Sequence, residues 1–418
     1  MDEVRRVLDA ACRSEQARII GTLTRILGSL EAAEDVMQAA AERALEHWPR
    51  RGLPINPGAW LTTVARRIAL DELRRRSAAE RARGRLTREL DGTCTDDPYH
   101  LLGSWPDERL RLILTCCHPL LDTDSRVALT LKEVCGLSTG QIAGSFLVAE
   151  ATMAQRLVRA KRRLREHLHG FEIPVPGEIS DHLADVLRVI YLVFNEGYIH
   201  RGGIELTHID LCTEAVRIAL LIPGLMRTEG LDAEPEALGL AALLVLIHAR
   251  RDARIDTEGL PVLLEEQDRS RWRRDEADHG LALLDQALAL KRPGPYQLLA
   301  AVNAVHATAD SAESTEWEEI LALYDRLLLF EPTSVVALNR AVALGMARGA
   351  DAGLAALEAR PVADLDGYPY LHLARARFLE EAGREDEAAP ALRRAHALSE
   401  NEAERALITR RLAGLRNA

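Results

Sequence analysis

The chain of 418 residues carries a formal net charge of -11, with 47% hydrophobic and only 4% aromatic residues. Its length predicts roughly two to four domains, and its many strong helix formers, Ala, Leu and Arg, predict an all-α protein. No apolar run approaches the roughly 20 residues of a membrane span, no signal-peptide core opens the chain, and the six cysteines match no disulfide framework, so we expect a cytoplasmic, reduced protein without a membrane partner.

The charge is divided unevenly along the chain. Residues 1–170 contain 27 basic and 23 acidic residues, a net of +4, so the remainder carries a net of -15. Such asymmetry indicates a front part that faces nucleic acid, joined to an acidic part with another task.

The first predicted domain, residues 1–77, has helical periodicity on both sides of a turn-rich loop, RGLPINPGAW. A polar stretch of poor periodicity, residues 78–105, predicts a flexible linker. A second compact domain is expected at 106–170, followed by a short linker at 171–179 that contains PVPGE.

The stretch GLSTGQIAGSFLVAEATMAQRLVRAKRRLRE, residues 136–166, predicts two helices across a short turn. Ser138 or Thr139 can cap the first helix, and Glu150 opens the second, which runs through Arg165. This is the helix-turn-helix pattern, whose second helix lies in the major groove of DNA. Its early residues suit base edges and its later basic residues suit phosphates. The candidate DNA-binding residues are Ser138, Thr139, Glu150, Thr152, Gln155, Arg156, Arg159, Arg162 and Arg163, with Lys161 and Arg165 as further phosphate candidates. A basic helix that is merely solvated is the alternative.

Two earlier stretches make the DNA-binding signal more specific. SLEAAEDVMQAAAERALEHWP (29–49) and NPGAWLTTVARRIALDELRRRSA (56–78) resemble region 2 of the extracytoplasmic-function (ECF) sigma factors of bacterial RNA polymerase, and residues 106–170 resemble region 4. The resemblance implies that an acidic helix face docks on core RNA polymerase. That face comprises Glu31, Glu34, Asp35, Gln38 and Glu42. A solvated acidic face without a partner is the alternative.

The resemblance also implies that region 2 contacts the -10 promoter element and that region 4 contacts the -35 element. The loop 51–57 corresponds to a segment that captures a flipped base, and 59–76 corresponds to the -10 helix. The candidate -10 residues are Asn56, Trp60, Thr63, Arg66, Arg67, Asp71, Arg74 and Arg75. Trp60 fits either the core or a stacking role, and we favour the core. Such a protein binds promoter DNA and polymerase and requires no catalytic residue.

The last third of the chain has an internal period. Gly349 and Gly383 lie 34 residues apart, the tetratricopeptide (TPR) length, and Thr315 precedes Gly349 by the same interval. We predict a helical regulatory domain at 180–310 and TPR-like repeats at 311–418, with a generic helical stack as the alternative. The chain resembles the ECF subgroup with a long TPR-like C-terminal extension. This implies a module that controls or supports promoter activity, through a regulatory protein or through contact with the chain itself.

One polar set in the back half suits a regulatory site: Asn195, Glu196, Tyr198, Asp210 and Glu214. Carboxylates beside a tyrosine can form a ligand pocket, although a hydrogen-bond network between helices is the favoured alternative. The run Cys116-Cys117-His118 suggests a metal at first glance. No second pair follows at zinc spacing, so we expect no metal, and we find no cofactor-binding motif.

Two other functions compete with the sigma interpretation. A conventional helix-turn-helix transcriptional regulator with a TPR-like sensor would bind duplex DNA without polymerase, but it needs neither an acidic docking helix nor a second basic DNA helix. An enzyme with its active site at 180–310 is disfavoured because no nucleophile, base and metal pattern is present.

Overall fold

The computed structural model describes residues 2–87, 108–146, 148–167, 176–198, 209–228 and 233–415. Within these ranges, eighteen α-helices and four short 3-10 segments account for the regular structure, and the described residues form no strand beyond one isolated bridge between Ile255 and Pro261. The all-α prediction is therefore confirmed. The chain divides into two units, Met1–Val189 and Ile190–Ala418, called the front unit and the back unit below.

The front unit contains seven helices and the first half of an eighth. They are α1 (Asp2–Leu27), α2 (Leu30–Arg51), α3 (Pro57–Thr87), α4 (Glu108–Cys116), α5 (Thr123–Glu133), α6 (Thr139–Ser145), α7 (Glu150–His167) and α8 (Pro176–Tyr198). The first three contact one another, and α1 also contacts α4 and α5. The unit boundary lies inside α8, after the linker that the sequence predicts at 171–179.

A local signal separates α1 from α2. Gly28 has a φ of 68°, a left-handed conformation that glycine adopts without strain and that ends α1. Ser29 then caps α2, its hydroxyl oxygen accepting a hydrogen bond from the backbone N–H of Ala32 at 3.3 Å. The apolar stripes of both helices meet in a core that includes Ile19, Leu23 and the fully buried Trp48, together with Ala33, Ala40, Leu61 and Ala65.

Two predicted boundaries move in the structure. Helix α3 continues to Thr87, so the first ten residues of the predicted linker 78–105 are helical, and 88–105 lie outside the described residues. The run AAERARGR, which begins at Ala78, consists mainly of strong helix formers, which explains the continuation. Helix α8 likewise begins at Pro176, inside the predicted linker 171–179, with proline in the first turn, where its missing N–H has no cost.

The back unit contains the rest of α8 and ten further helices. They are α9 (Ile209–Thr228), α10 (Pro235–Ala249), α11 (Arg274–Ala289), α12 (Pro295–Thr308), α13 (Trp317–Phe330), α14 (Ser334–Arg348), α15 (Ala350–Glu358), α16 (Pro369–Glu381), α17 (Glu385–Leu398) and α18 (Glu402–Leu415). Helix α10 has 13 buried residues out of 15 and contacts α9, α11 and α12, so it forms the centre of this part. The structure gives one compact unit where the sequence predicts a regulatory domain and a separate repeat domain.

The helices of the last third recur at nearly constant spacing. Helices α13, α15 and α17 begin at Trp317, Ala350 and Glu385, 33 and 35 residues apart. Gly349 and Gly383, with φ values of 98° and 70°, form the turns before α15 and α17. The regular spacing agrees with the helix-pair repeat, while its assignment to the TPR class stays a prediction.

Candidate nucleic-acid interface

Helices α6 and α7 form the predicted helix-turn-helix. The backbone N–H of Gln141 donates to Ser138 Oγ at 3.2 Å, and the backbone N–H of Ser138 donates to Gln141 Oε1 at 2.9 Å. This reciprocal capping box places the N-cap of α6 at Ser138, one of the two residues that the sequence allows. Ile142 on α6 and Met153 and Leu157 on α7 are buried, which fixes how the two helices pack.

The outward face of α7 carries most of the predicted DNA-binding residues. Glu150, Thr152, Gln155, Arg159, Arg162 and Arg163 are exposed, and Arg156 and Thr139 are half-buried. The guanidinium of Arg156 lies over the Phe146 ring, 5.4 Å from its centroid, and its Nη1 lies 3.4 Å from Asp124 Oδ2. Arg156 is therefore held by the module, whereas Gln155 extends from it.

Val158 is an apolar residue that the sequence pattern assigns to the buried stripe of the helix-turn-helix, and the structure shows this assignment to be wrong. It stands three residues after Gln155 and four before Arg162, so all three share one face of α7. Its side chain is 64% exposed, whereas Leu157 and Leu164 of the same helix are buried. A methyl-rich side chain between Gln and Arg can contact the C5-methyl group of thymine. Because Val158 is apolar, residue type alone suggests a buried position. It directly follows the buried Leu157 and so points to another side of the helix, and this is the signal that could have identified it as exposed.

The opposite edge of α7 forms ion pairs with carboxylates of other helices. Lys161 Nζ lies 2.8 Å from Glu133 Oε1 on α5 and 2.6 Å from Glu34 Oε1 on α2. Arg165 Nη1 lies 2.5 Å from Glu31 Oε2, also on α2. Lys161 and Arg165, both predicted as phosphate contacts, thus form ion pairs with carboxylates of the same chain.

Lys161, Glu133 and Glu34 form a charged cluster, and its burial strengthens the interactions among these groups. Glu133 has no exposed side-chain surface and Lys161 is 12% exposed. Desolvation raises the pKa of Glu133 to about 7, although the nearby Lys161 opposes this shift. Burial by itself would lower the pKa of Lys161, but the carboxylates of Glu133 and Glu34 raise it. Neither oxygen of Glu133 has hydrogen-bond geometry with a donor in the described residues, so the Lys161 contact balances its charge through proximity.

The acidic face of α2 divides into two parts. Glu31 and Glu34 are half-buried against α7, whereas Asp35, Gln38 and Glu42 are exposed. Gln38 Nε2 donates to Glu42 Oε1 at 3.1 Å, an i, i+4 contact along the helix. The sequence places these five residues on one face but does not indicate that two of them meet another module.

Helix α3 presents the predicted -10 face. Thr63, Arg66, Arg67, Asp71, Arg74 and Arg75 are all exposed. Asn56 is the N-cap, its Oδ1 accepting from the backbone N–H of Ala59 at 2.9 Å, so its side-chain oxygen supports the helix end. Trp60 is half-buried, and its ring packs edge-on against Trp48 with centroids 5.4 Å apart. This contact fits the favoured assignment of Trp60 to the core, with part of its ring left accessible.

The loop before α3 holds an exposed apolar residue that sequence reasoning passed over. Ile55 is fully exposed, and Leu53 is 38% exposed, between Gly52 at the end of α2 and the Asn56 cap. Apolar side chains that project from a DNA-binding surface can insert between bases and unstack them. An Ile between Gly52, which ends α2, and Asn56, which caps α3, is the sequence signal for such a position.

Two members of the predicted polar set of the back unit, Tyr198 and Glu214, contact different arginines. Two arginines surround Tyr198: Arg250 Nη2 donates to its hydroxyl at 2.9 Å, and the Arg254 guanidinium lies 3.3 Å from its ring centroid. Glu214 instead forms a two-point contact with Arg217 on its own helix, at 2.7 and 2.8 Å. Asn195 and Glu196 are half-buried, and the side chain of Asp210 lies outside the described residues. The Tyr198 contacts join α8 to the segment after α10, in agreement with the favoured hydrogen-bond network between helices, whereas the Glu214 contact stays within α9.

The Cys116-Cys117-His118 run closes α4 within the core. Both cysteines are buried, and burial raises the pKa of the Cys117 thiol to about 12. His118 Nδ1 accepts from the backbone N–H of Leu120 at 3.2 Å, so it stabilises the following turn. Across the described ranges, no three His, Cys, Asp or Glu side chains are grouped as metal ligands. No helix within the described ranges has the length and apolarity of a membrane span.

Three family descriptions match successive parts of the chain. Residues 12–79 match sigma-70 region 2, residues 111–164 match sigma-70 region 4, and residues 182–288 match a family of unknown function, DUF6596. The first match contains α2 and most of α3, and the second contains α6 and most of α7. These are the elements that carry the exposed basic faces.

The similar proteins match either nearly the whole chain or little more than a third of it. An uncharacterized protein of Rhizobium meliloti is 43% identical over 408 residues, covering 97% of this chain and 95% of that protein. The ECF RNA polymerase sigma factor SigL of Mycobacterium tuberculosis is 36% identical over 146 residues, covering 34% of this chain and 77% of that protein. A probable ECF sigma factor of the same species, SigI, is 28% identical over 162 residues, or 54% of its own length. No solved structure matches the chain.

The SigL similarity covers most of that sigma factor, and the region 2 and region 4 matches occur in the order and on the helices that the front unit presents. Together with the two exposed basic helix faces, these findings show that the chain belongs to the ECF RNA polymerase sigma factors, which act in transcription initiation and are not enzymes.

Proposed function

We propose that this chain binds bacterial core RNA polymerase and directs it to specific promoters. The observation that supports the proposal is that one unit presents two exposed basic surfaces on separate helices, α3 and α7, beside the acidic face of α2. A conventional helix-turn-helix regulator needs α7 alone. The second basic helix and the acidic face therefore favour an initiation factor.

Each surface suits one step of promoter recognition. Gln155, Val158 and Arg162 on α7 offer hydrogen-bonding, methyl and cationic contacts for the duplex -35 element. Arg66 and Arg67 on α3 suit the phosphates of the -10 element, and the exposed loop before α3 suits bases that leave the stack. Binding energy from these contacts compensates for the base pairing and stacking lost when the -10 element opens.

Run-off transcription with core polymerase and a promoter pool tests the proposal. The R66A/R67A variant removes two cations of the α3 face, and R393A/R405A removes two exposed arginines of the back unit as a matched control. We expect specific transcripts from the native chain and the control, and a strong loss with R66A/R67A. No transcript and no polymerase binding by the native chain would favour the conventional regulator.

Base recognition by α7 has its own matched pair. Gln155→Ala removes an exposed glutamine on the predicted -35 face, and Gln286→Ala removes an exposed glutamine on α11. A lost bidentate base contact weakens discrimination by about 1–3 kcal/mol. Only Q155A should therefore change the order of promoter preference, and equal effects of both variants would refute this assignment.

We propose further that the back unit regulates or supports this activity, by contact with a regulatory protein or with the rest of the chain. Its acidic surplus and its stacked helix pairs support this role, because helical repeats offer extended surfaces to partners. Transcription by the full chain is compared with transcription by a fragment ending at Val189, after circular dichroism confirms that the fragment is helical. Higher activity of the fragment assigns inhibition to the back unit, lower activity assigns support, and equal activity refutes both.

A further inference from the structure

The segment between α10 and α11 of the back unit holds a cluster of arginines. Arg250, Arg254 and Arg269 all lie in this segment. Within the described ranges, none of these three side chains forms an ion pair with a carboxylate, whereas Arg251 in the same segment pairs with Glu276 at 2.6 Å. The part of the chain after residue 170 has a net charge of -15, so acidic side chains are abundant there. The three arginines are therefore candidates for binding an external anion.

Arg254 is the most deeply buried of the three, with 9% of its surface exposed. Its guanidinium lies over the Tyr198 ring, 3.3 Å from the centroid, and both terminal nitrogens donate to one acceptor, the backbone oxygen of Tyr198, at 3.2 Å. Burial lowers the pKa of Arg254, and the positive charge of Arg250 acts in the same direction. A buried cation with no carboxylate partner among the described residues carries a large desolvation cost, which a bound anion would offset.

Arg250 and His306 add further hydrogen-bonding groups to this cluster. Arg250 Nη2 donates to the Tyr198 hydroxyl at 2.9 Å, which leaves the hydroxyl hydrogen to donate elsewhere. His306 on α12 is 8% exposed, and its Nδ1 is buried without a hydrogen-bond partner among the described residues. Burial lowers the pKa of His306 to about 4, and the positive charge of Arg250 acts in the same direction. The imidazole is therefore neutral at pH 7 and can donate one N–H to an anion.

Arg269 is held beside His306 by a backbone acceptor. Its Nη1 donates to the backbone oxygen of His306 at 2.6 Å. Burial lowers the pKa of Arg269, while the carboxylates of Glu313 and Asp310 oppose this shift. Arg269 is thus partly balanced by acidic neighbours. The two arginines around Tyr198 remain as the pair with no carboxylate at ion-pair distance among the described residues.

We propose that Arg250 and Arg254 bind a small phosphate-bearing anion, with the Tyr198 hydroxyl and the His306 ring as neutral donors. Two guanidinium groups match the two negative charges of a phosphate dianion, and their planar forks suit its oxygens. A long polyanion such as DNA is disfavoured because this part of the chain is itself strongly acidic. Regulation of transcription by this ligand rests on the proposed function, whereas anion binding is a property of the chain alone and is tested without polymerase.

Arginine labelling reports the occupancy of the site directly. Phenylglyoxal modifies accessible guanidinium groups, and mass spectrometry compares Arg250 with the exposed Arg393 of the same full-length chain. Inorganic phosphate is added at constant ionic strength in exchange for sodium chloride. At about ten times the phosphate concentration that halves the rate, labelling of Arg250 should be about tenfold slower, while labelling of Arg393 should be unchanged. A constant ratio of the two rates throughout the titration would overturn the proposal.

A matched pair of variants separates the site from general charge effects. Arg254→Met removes the buried cation, whereas Arg271→Met removes an exposed arginine of the same segment. R254M should require about tenfold more phosphate for the same protection of Arg250, because a charge-assisted hydrogen bond is lost. R271M should require no more than the native chain. Equal protection in both variants would refute the assignment, because a purely structural role of Arg254 leaves phosphate binding intact.

Tyr198→Phe provides a second test that does not depend on the folding of R254M. It keeps both guanidinium groups and the ring against Arg254 but removes the hydroxyl, so phosphate binding should weaken about two- to tenfold. Circular dichroism verifies that each variant is folded. Unchanged phosphate affinity in Y198F would refute the contact with the hydroxyl and, where R254M is unfolded, the proposal as a whole.

Transcription assays keep the two proposals distinguishable. Phosphate protection of Arg250 in a chain that does not bind polymerase preserves the anion site and refutes the proposed function. Specific transcripts from a chain in which phosphate protects nothing refute the anion site alone. If phosphate changes run-off transcription equally in the native chain and in R254M, regulation through this site is refuted.

A phosphate ester identifies the source of the phosphate group. Glycerol 3-phosphate replaces inorganic phosphate in the labelling of Arg250, at equal concentration and ionic strength. Stronger protection by the ester supports an esterified small molecule as the ligand, and equal or weaker protection supports the free ion. Protection by neither compound would overturn the proposal.

Discussion

Replacing Lys161 by methionine would remove the charge of the buried cluster while keeping most of the aliphatic stem. Glu133 then has no exposed surface and no cation at 2.8 Å. Breaking a buried ion pair by removing one partner costs about 3–5 kcal/mol, since the remaining charge is uncompensated. Glu133 can escape part of this cost by taking up a proton. The loss in Lys161→Met must therefore depend on pH.

The direction follows from the raised pKa of Glu133. In the native chain, burial raises this pKa to about 7, above the value of 4.5 for an unperturbed glutamate. Between pH 4.5 and about 7, Glu133 is protonated in the folded chain but ionised in the unfolded chain, so the free energy of unfolding falls as the pH rises. Above about pH 7 the group is ionised in both states, and its contribution no longer changes. Without Lys161 the pKa of Glu133 rises further, so the variant continues to lose about 1.4 kcal/mol per pH unit above pH 7. The gap between the two proteins should thus widen from pH 7 to pH 8.5.

Urea unfolding of the full chain, followed by hydrogen exchange of α5 and α7 peptides, measures this gap in the module concerned. The double variant E133Q/K161M removes both charges and should show neither the widening nor most of the loss. A deficit in K161M that is the same at pH 6 and pH 8.5 would refute the account, because it would mean that Lys161 stabilises the module by packing alone.

Three further substitutions, the last with a control variant, probe other parts of the chain. Trp48→Ala removes a side chain that is 1% exposed and should cost about 3–5 kcal/mol in urea unfolding, whereas a loss below 1 kcal/mol would show that it is not a core residue. Ile55→Ser should leave the unfolding free energy within about 0.5 kcal/mol of native but reduce permanganate reactivity of promoter thymines, and unchanged reactivity would exclude Ile55 from DNA opening. Gly345→Ala places a Cβ 2.2 Å from Phe378 Cζ and should destabilise α14 by about 1–3 kcal/mol in hydrogen exchange. Gly414→Ala, with no atom within 4 Å of its Cβ, should not, and equal effects would contradict the steric explanation.

The helix-turn-helix shows how much the sequence alone could predict. Ser138, three residues before Gln141, specifies the start of α6, and the structure forms the corresponding pair of hydrogen bonds. Gly349 and Gly383 likewise mark helix ends, and both adopt positive φ. These features depend on residues a few positions apart, so their physical cause is contained in a short stretch. Helical periodicity adds the inward and outward faces, and the all-α class follows.

Long-range placement is what the sequence left open. Periodicity put Glu31 and Glu34 on an exposed acidic face and Lys161 and Arg165 on an exposed basic helix, and the structure pairs them. Lys161 and Glu34 are 127 residues apart, and no local propensity relates their helices. The exposure of Val158 depends on which side of α7 packs against the core. The contacts of Tyr198 depend on Arg250, which lies 52 residues later in the chain. Local chemistry determined the helices and their faces, while only tertiary packing decided which faces meet, because charge complementarity and burial act between modules after the helices have formed.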